Sequence, residues 1–303
     1  MNEREPYRDR IKHSLERELR GLFRAALAKL RQIKWDERGF EQQKAACLVL
    51  FSEIAYYKIT EEEYRRPDRA KIVPCVAYQK ALISQVRIDF EAVAREDEGL
   101  SIDLIQTHRF VAIIFYVGQV IVIAVRGTKF LYDWLSNVQC MKSDWGRRQG
   151  GYGLAFHSGF LKESQLLAIH LHRRLEHKLN NTKILITGHS LGGAIAGILT
   201  GIRIGRQTIS SASYLHIESC YTFAAPRYAR FDTLLHIANP YNCINHFDIV
   251  PRVPPKMLRY ANCVFEYDLR GAPYTVFEFS AKSYFMRWLW TLITGRFLYN
   301  HSI

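Results

Sequence analysis

No run of 18 or more apolar residues free of charge occurs anywhere in the 303 residues, so no membrane-spanning helix is expected. The opening Met1-Asn-Glu-Arg-Glu-Pro6 leads into a charged segment rather than an apolar one, so a secretory signal peptide is not expected either. Cys47, Cys75, Cys140, Cys220, Cys243 and Cys263 stand singly, with no C-x-x-C pair, which argues against a zinc site or a redox dithiol. Without an export signal they read as reduced thiols, and the chain as cytoplasmic with peripheral attachment to membranes. Internal repeats and low-complexity tracts are absent. So are helix-turn-helix, RNA-binding and zinc-finger signatures, which leaves nucleic acid without a motif to support it as a partner.

What is present is an ordinary globular composition, 48% hydrophobic and 23% charged, in a chain long enough for one large α/β domain. The net charge of +13 is high for an enzyme and predicts attraction to an anionic surface. With no nucleic-acid motif beside it, a phospholipid surface is the favoured partner.

Residues 8 to 34 carry one apolar stripe (Ile11, Leu15, Leu19, Leu22, Ala26, Leu30, Ile33) at three- and four-residue steps, with arginines and lysines around it. Such a helix can lie on anionic lipid, or its stripe can pack on the domain or on a second copy of itself. The sequence therefore divides into a basic amphipathic extension, 1–36, and an α/β domain, 37–303. Glu41 to Tyr57 predicts a second helix. Phe110–Tyr116 and Val120–Val125 predict a hairpin. Phe130, Leu131, Trp134 and Leu135 fall at helical spacing within 129–138, as a movable apolar lid or as a helix permanently in the core. Gly146–Gly153 reads as a glycine-rich loop, and a helix follows His157-Ser-Gly-Phe160, with His170, His172 and His177 expected on its surface. Strands are expected at Tyr214–Phe223 and Asn242–His246, and a late hairpin at Cys263–Leu269 and Tyr274–Phe279. The aromatics of 284–299 suit core packing or an interfacial patch. Strands alternating with helices predict a mainly parallel central sheet with helices on both faces.

The chemistry centres on Lys183-Ile-Leu-Ile-Thr-Gly-His-Ser-Leu-Gly-Gly-Ala-Ile-Ala-Gly197. It is G-x-S-x-G between a short apolar run and a small-residue helix, the setting in which a serine is held on a strained strand-to-helix turn. A serine hydroxyl needs a base to take its proton, and the base needs an orienting acid. In strand–helix hydrolases these follow the serine in the order acid, then histidine. Asp248, after a strand and before Pro251, Pro254 and Pro255, is the acid. His301 is the one histidine downstream of it, and His246 is the rival base. The backbone N–H groups of Leu191 and Thr128 are the expected oxyanion donors, Thr128 from the loop Arg126-Gly127-Thr128.

Val125-Arg-Gly-Thr with Asp133-Trp134, His157-Ser-Gly-Phe160, Gly188-His-Ser-Leu-Gly-Gly193, Thr222-Phe-Ala-Ala-Pro-Arg227 and Asp248-Ile-Val-Pro-Arg252 resemble, in order, the motifs of the class 3 lipases of the α/β-hydrolase fold. The resemblance implies Ser190, Asp248 and His301 as triad, Thr128 and Leu191 as oxyanion donors and 129–138 as lid. It also implies hydrolysis of acylglycerols or related lipids with no cofactor and no metal. The basic N-terminal helix is an addition to the family core. Two other readings stay open: a soluble carboxylesterase, and a catalytically silent lipase-fold module that docks on membranes.

Overall fold

A computed structural model describes residues 5–37, 39–56, 90–97, 99–106, 111–127, 142–145, 154–178, 182–202, 216–245, 248–268 and 273–275. In chain order the elements are α1 (Glu5–Gln32), α2 (Gln42–Ile54), β1 (Leu100–Gln106), β2 (Val111–Val117), β3 (Val120–Arg126), β4 (Lys142–Trp145), β5 (Leu154–His157), α3 (Ser158–Leu175), β6 (Lys183–His189), α4 (Leu191–Ile202), β7 (Ile217–Phe223), β8 (Ala229–Arg230), α5 (Phe231–Leu235), β9 (Tyr241–Ile244), β10 (Tyr260–Ala261), β11 (Phe265–Asp268) and β12 (Pro273–Thr275).

The main sheet has the order β1-β2-β3-β6-β7-β9-β11-β12. Strands β3, β6, β7, β9 and β11 run parallel. The antiparallel pairs β1–β2 and β2–β3 extend it on one side, and β12 closes the other. The expected hairpin between β2 and β3 turns on Gly118, whose φ of 57° suits a two-residue connection. A second, antiparallel sheet, β10-β8-β5-β4, is built from strands of two to four residues. Segments so short carry no readable alternation, and the sequence did not predict this sheet.

The strands read as unbroken apolar runs because both faces of the sheet are covered. Ala112 and Ile114, Ile121, Ile123 and Val125, and Ile184 and Ile186 face α3 and α4. Their neighbours Ile113, Phe115, Val122, Ala124, Leu185 and Tyr221 face α1 and α2. This is the α/β-hydrolase architecture that the sequence predicted.

From Leu19 onward the N-terminal stripe packs on the domain. Leu19, Phe23, Ala26, Leu27 and Leu30 are buried in the same core as α2 and the sheet. Phe23 meets the rings of Phe90 and Phe115 edge-on, with centroids 5.6 and 5.8 Å away. Burying Leu19, Phe23, Leu27 and Leu30 contributes about 1.5–3 kcal/mol per side chain relative to water, and in this fold the domain core takes up that face. Arg17, Arg24, Lys29 and Lys34 point outward. Arg31 spans to both carboxylate oxygens of Asp97 at 2.7 and 2.9 Å. His172, expected at the surface, is buried, because it follows Ala168 by one turn on the inward stripe of α3. Among the described residues no helix is long and apolar enough to cross a membrane.

Candidate active site

Strand β6 ends at His189 and α4 begins at Leu191, so a single residue makes the turn. That residue, Ser190, has φ 57°, the left-handed region that costs an L side chain roughly 1–2 kcal/mol. Its N–H donates to the Phe223 carbonyl at 2.9 Å, and its own carbonyl accepts from Gly193 and Ala194 at 2.9 and 3.2 Å. The turn is therefore fastened to β7 on one side and to the first turn of α4 on the other. Close approach makes the flanking glycines necessary. A Cβ on Gly188 would stand 2.5 Å from the Gly192 carbonyl, and one on Gly192 would overlap the Val125 carbonyl oxygen of β3. Ser190 is buried, its Oγ has no hydrogen-bond partner among the described residues, and it sits at the positive end of the α4 dipole.

Beyond β7 the chain repeats the device. Ala224 has φ 52°, and its N–H donates to the Cys243 carbonyl of β9 at 2.9 Å. The segment Thr222–Arg227 is thereby held against the elbow, where the Ala225 Cβ would lie 2.9 Å from a Cβ placed on Gly193.

Asp248 lies past the end of β9, two strands across from β6, so it and Ser190 share the carboxyl edge of the parallel strands. The residue is 2% exposed, and its Oδ1 accepts the Val250 N–H at 2.9 Å. The loop behind it is clamped from three directions. Arg227 Nη1 donates to the carbonyls of Arg252 and Pro254 at 2.7 and 3.0 Å. Asn262 Nδ2 donates to Ala225 at 3.0 Å and Pro251 at 3.4 Å. Arg252 Nη1 reaches both oxygens of the buried Glu266 at 3.0 and 2.8 Å. A rigid acid is what an orienting residue requires, since its task is to fix one geometry.

Ser190, Leu191 and Asp248 are thus brought to one edge of the sheet. Thr128, the lid residues Phe130, Leu131, Trp134 and Leu135, and both candidate bases, His301 and His246, lie outside the described residues, as do the 146–153 loop and the 284–299 aromatics. Two histidines near the motifs are described. His189 meets Tyr56 edge-on at 5.5 Å. His157 stacks on Phe160 at 4.2 Å and has no hydrogen bond to either ring nitrogen among the described residues. Burial lowers its pKa to about 4. It is therefore neutral and weakly basic at pH 7, poorly matched to a general base.

The residue that the sequence offered no signal for is Tyr56, at the end of α2. The sequence placed it inside the helix expected over Glu41–Tyr57, whereas α2 ends at Ile54, and it belongs to no motif. Its hydroxyl accepts the Gly127 N–H at 2.8 Å and donates to the His189 carbonyl at 3.1 Å.

A sheet of this order with a serine on a left-handed turn after a central parallel strand defines the α/β-hydrolase fold. The class 3 lipase resemblance read from the motifs is borne out. Residues 122–258 match the family described as Lipase (class 3), from the middle of β3 to beyond the Asp248 loop. The secreted mono- and diacylglycerol lipase 1 of Fusarium solani is 31% identical over 176 residues, covering 52% of this chain and 47% of that protein. The chain thus spans about half the length of that curated relative. The crystal structure of a lipase from Rhizopus microsporus var. chinensis superposes with a TM-score of 0.50 at 21% identity, over 67% of this chain and 73% of the other. An MDLA mutant from Penicillium cyclopium gives a TM-score of 0.50 at 18% identity, over 76% and 81%. At these identities the two structures speak to the fold.

Proposed function

We propose that this chain is a serine hydrolase of lipid acyl esters, an acylglycerol lipase or phospholipase A-type enzyme, working through Ser190, Asp248 and His301. The observation that carries the reading is Ser190 itself: a buried, left-handed serine at the head of a helix, its Oγ without a hydrogen-bond partner among the described residues. A strained residue in that setting is hard to account for by folding alone.

In this mechanism His301 takes the Ser190 proton as Oγ attacks the ester carbonyl, and Asp248 holds the imidazole in the correct tautomer. The oxyanion of the tetrahedral intermediate is met by two N–H groups. One is Leu191, in the first turn of α4, where backbone donors have no acceptor within the helix. The second is the N–H of Thr128, the residue after Gly127, whose own N–H donates to Tyr56. Collapse expels the alcohol, protonated by His301, and leaves an acyl-Ser190. Water activated by His301 then releases the fatty acid.

The surface reading rests on charge. Arg17, Arg24, Lys29 and Lys34 face outward from α1. Met257, 86% exposed, and the exposed Leu258 stand between Lys256 and Arg259. Apolar side chains flanked by cations suit the headgroup region of an anionic bilayer, where each cation contributes about 1 kcal/mol. We therefore read the enzyme as cytoplasmic and peripherally attached, by outward cations rather than by the α1 stripe. Nucleic acid is not a partner in this reading, and the chemistry uses no cofactor.

The test is hydrolysis of a soluble short-chain ester, diacylglycerol micelles and anionic phospholipid vesicles by wild type, Ser190→Ala, Asp248→Asn, His301→Ala and His246→Ala. Turnover that rises on aggregated lipid and vanishes in the first three variants is expected. Turnover of the soluble ester alone would replace a lipase by a carboxylesterase. Loss in His246→Ala with survival in His301→Ala would move the base. No turnover and no fluorophosphonate labelling of Ser190, with vesicle binding intact, would leave a docking module.

A further inference from the structure

The catalytic elbow and the loop facing it come from β6 and β3, neighbouring strands whose ends must hold a fixed separation if two N–H groups are to converge on one oxygen. Backbone packing sets part of that separation, because Gly192 lies directly against Val125. The remainder is bridged by a side chain from outside both strands. Tyr56 Oη accepts from Gly127 at 2.8 Å and donates to His189 at 3.1 Å, so one hydroxyl joins the residue before the nucleophile to the residue before Thr128. Its ring is held in turn. The Arg126 guanidinium lies 5.6 Å from the ring centroid, and the His189 imidazole packs edge-on at 5.5 Å. The fit leaves no slack, since a Cβ on Gly127 would come 2.6 Å from the hydroxyl oxygen. Burial raises the phenol's pKa to about 12, against smaller lowering influences of the Gly127 N–H and Arg126, so the hydroxyl stays neutral and keeps both its donor and its acceptor roles.

We propose that Tyr56 is a positioning residue for ester hydrolysis. By clamping Gly127 to His189 it fixes the end of β3 against the turn that carries Ser190, the separation on which the proposed pair of oxyanion donors depends. It touches no substrate, and its contribution rests on the hydrolase reading above. Phenylalanine at this position keeps the ring and its packing but leaves the Gly127 N–H and the His189 carbonyl without their shared partner. The end of β3 then loses its tie to the Ser190 turn, and misplacing one proposed donor costs a fraction of the hundred- to thousandfold that losing it would, roughly ten- to a hundredfold in rate.

The experiment compares full-length wild type and Tyr56→Phe on a soluble p-nitrophenyl ester. In parallel it measures their affinity for an alkyl trifluoromethyl ketone, whose hemiketal oxyanion on Ser190 occupies the same two donors. The expected result is a kcat lower by roughly ten- to a hundredfold with KM little changed, and inhibitor affinity lowered by a similar factor. Unchanged kcat per folded molecule, or a change in KM with inhibitor affinity intact, overturns the proposal. A measurement on wild type alone stands beside it, independent of turnover and of whether the variant folds. The Gly127 amide should exchange with solvent as slowly as its β3 neighbours, and fast exchange overturns the clamp. If wild type hydrolyses no ester and resists fluorophosphonate, the hydrolase reading and the catalytic role fail together, whereas slow Gly127 exchange would still report the tie.

Discussion

Acid should destabilise this protein through one identifiable group. His157 is 6% exposed, stacked on Phe160 with Tyr260 5.9 Å away, and burial alone brings its pKa to about 4. In the unfolded chain the same imidazole titrates near 6.5. The folded pKa is the lower of the two, so between these values the unfolded state binds the proton and the folded state does not. Stability from this group is whole above pH 6.5 and falls as pH drops toward 4. At pH 5 the linkage amounts to about 2 kcal/mol, which for a domain of this size is roughly 4–8 °C in Tm. The perturbation is His157→Phe, which preserves the stack and removes both ring nitrogens, neither of which has a hydrogen-bond partner among the described residues. Urea unfolding of wild type and variant at pH 7.5 and pH 5.0 should show the variant gaining about 2 kcal/mol relative to wild type at the lower pH. Carboxylates titrate equally in both proteins and cancel in the difference. A stability gap that is the same at the two pH values would refute the reasoning.

Two glycine substitutions should move stability in opposite directions. Gly192→Ala forces a methyl onto the Val125 carbonyl and should cost more than about 3 kcal/mol, read as loss of soluble protein or a Tm lowered by several degrees. Gly21→Ala, in an exposed turn of α1 with nothing within 4 Å, should stabilise by roughly 0.5–1 kcal/mol in the same melt. Arg252→Ala strands the buried Glu266 carboxylate and should cost about 3 kcal/mol, most of it recovered when Glu266→Gln is added; calorimetry of the two variants checks it.

The legible parts of this molecule were those where one residue type is forced by one geometry. The elbow could be read because a left-handed serine needs bare neighbours at Gly188 and Gly192, and the two-faced sheet because Ile121 to Val125 and Ile184 to Ile186 have nowhere polar to point. Strand ends were placed within a few residues; the strand expected from Tyr214 starts at Ile217. What stayed hidden depends on packing between distant segments. The α1 stripe looks the same whether lipid or Phe115 covers it, and only the fold assigns it to Phe115. His172 reads as polar in a helix rich in arginine and histidine, yet it falls on the inward side. Tyr56 meets Gly127 across 71 positions and His189 across 133, and no spacing rule reaches that far.

The left-handed turn at Ser190 also bears on how this protein could be improved in the laboratory. Glycine accepts φ 57° readily and carries no hydroxyl, a group that in Ser190 is buried without a partner among the described residues, so Ser190→Gly removes two unfavourable contributions at once. Ala224, at φ 52°, offers the backbone part of that gain one strand away. A search that selects variants by heat resistance alone would therefore be drawn to the turn where the proposed chemistry resides, and would erase it first. Directed evolution of this fold needs turnover in the selection from the opening round.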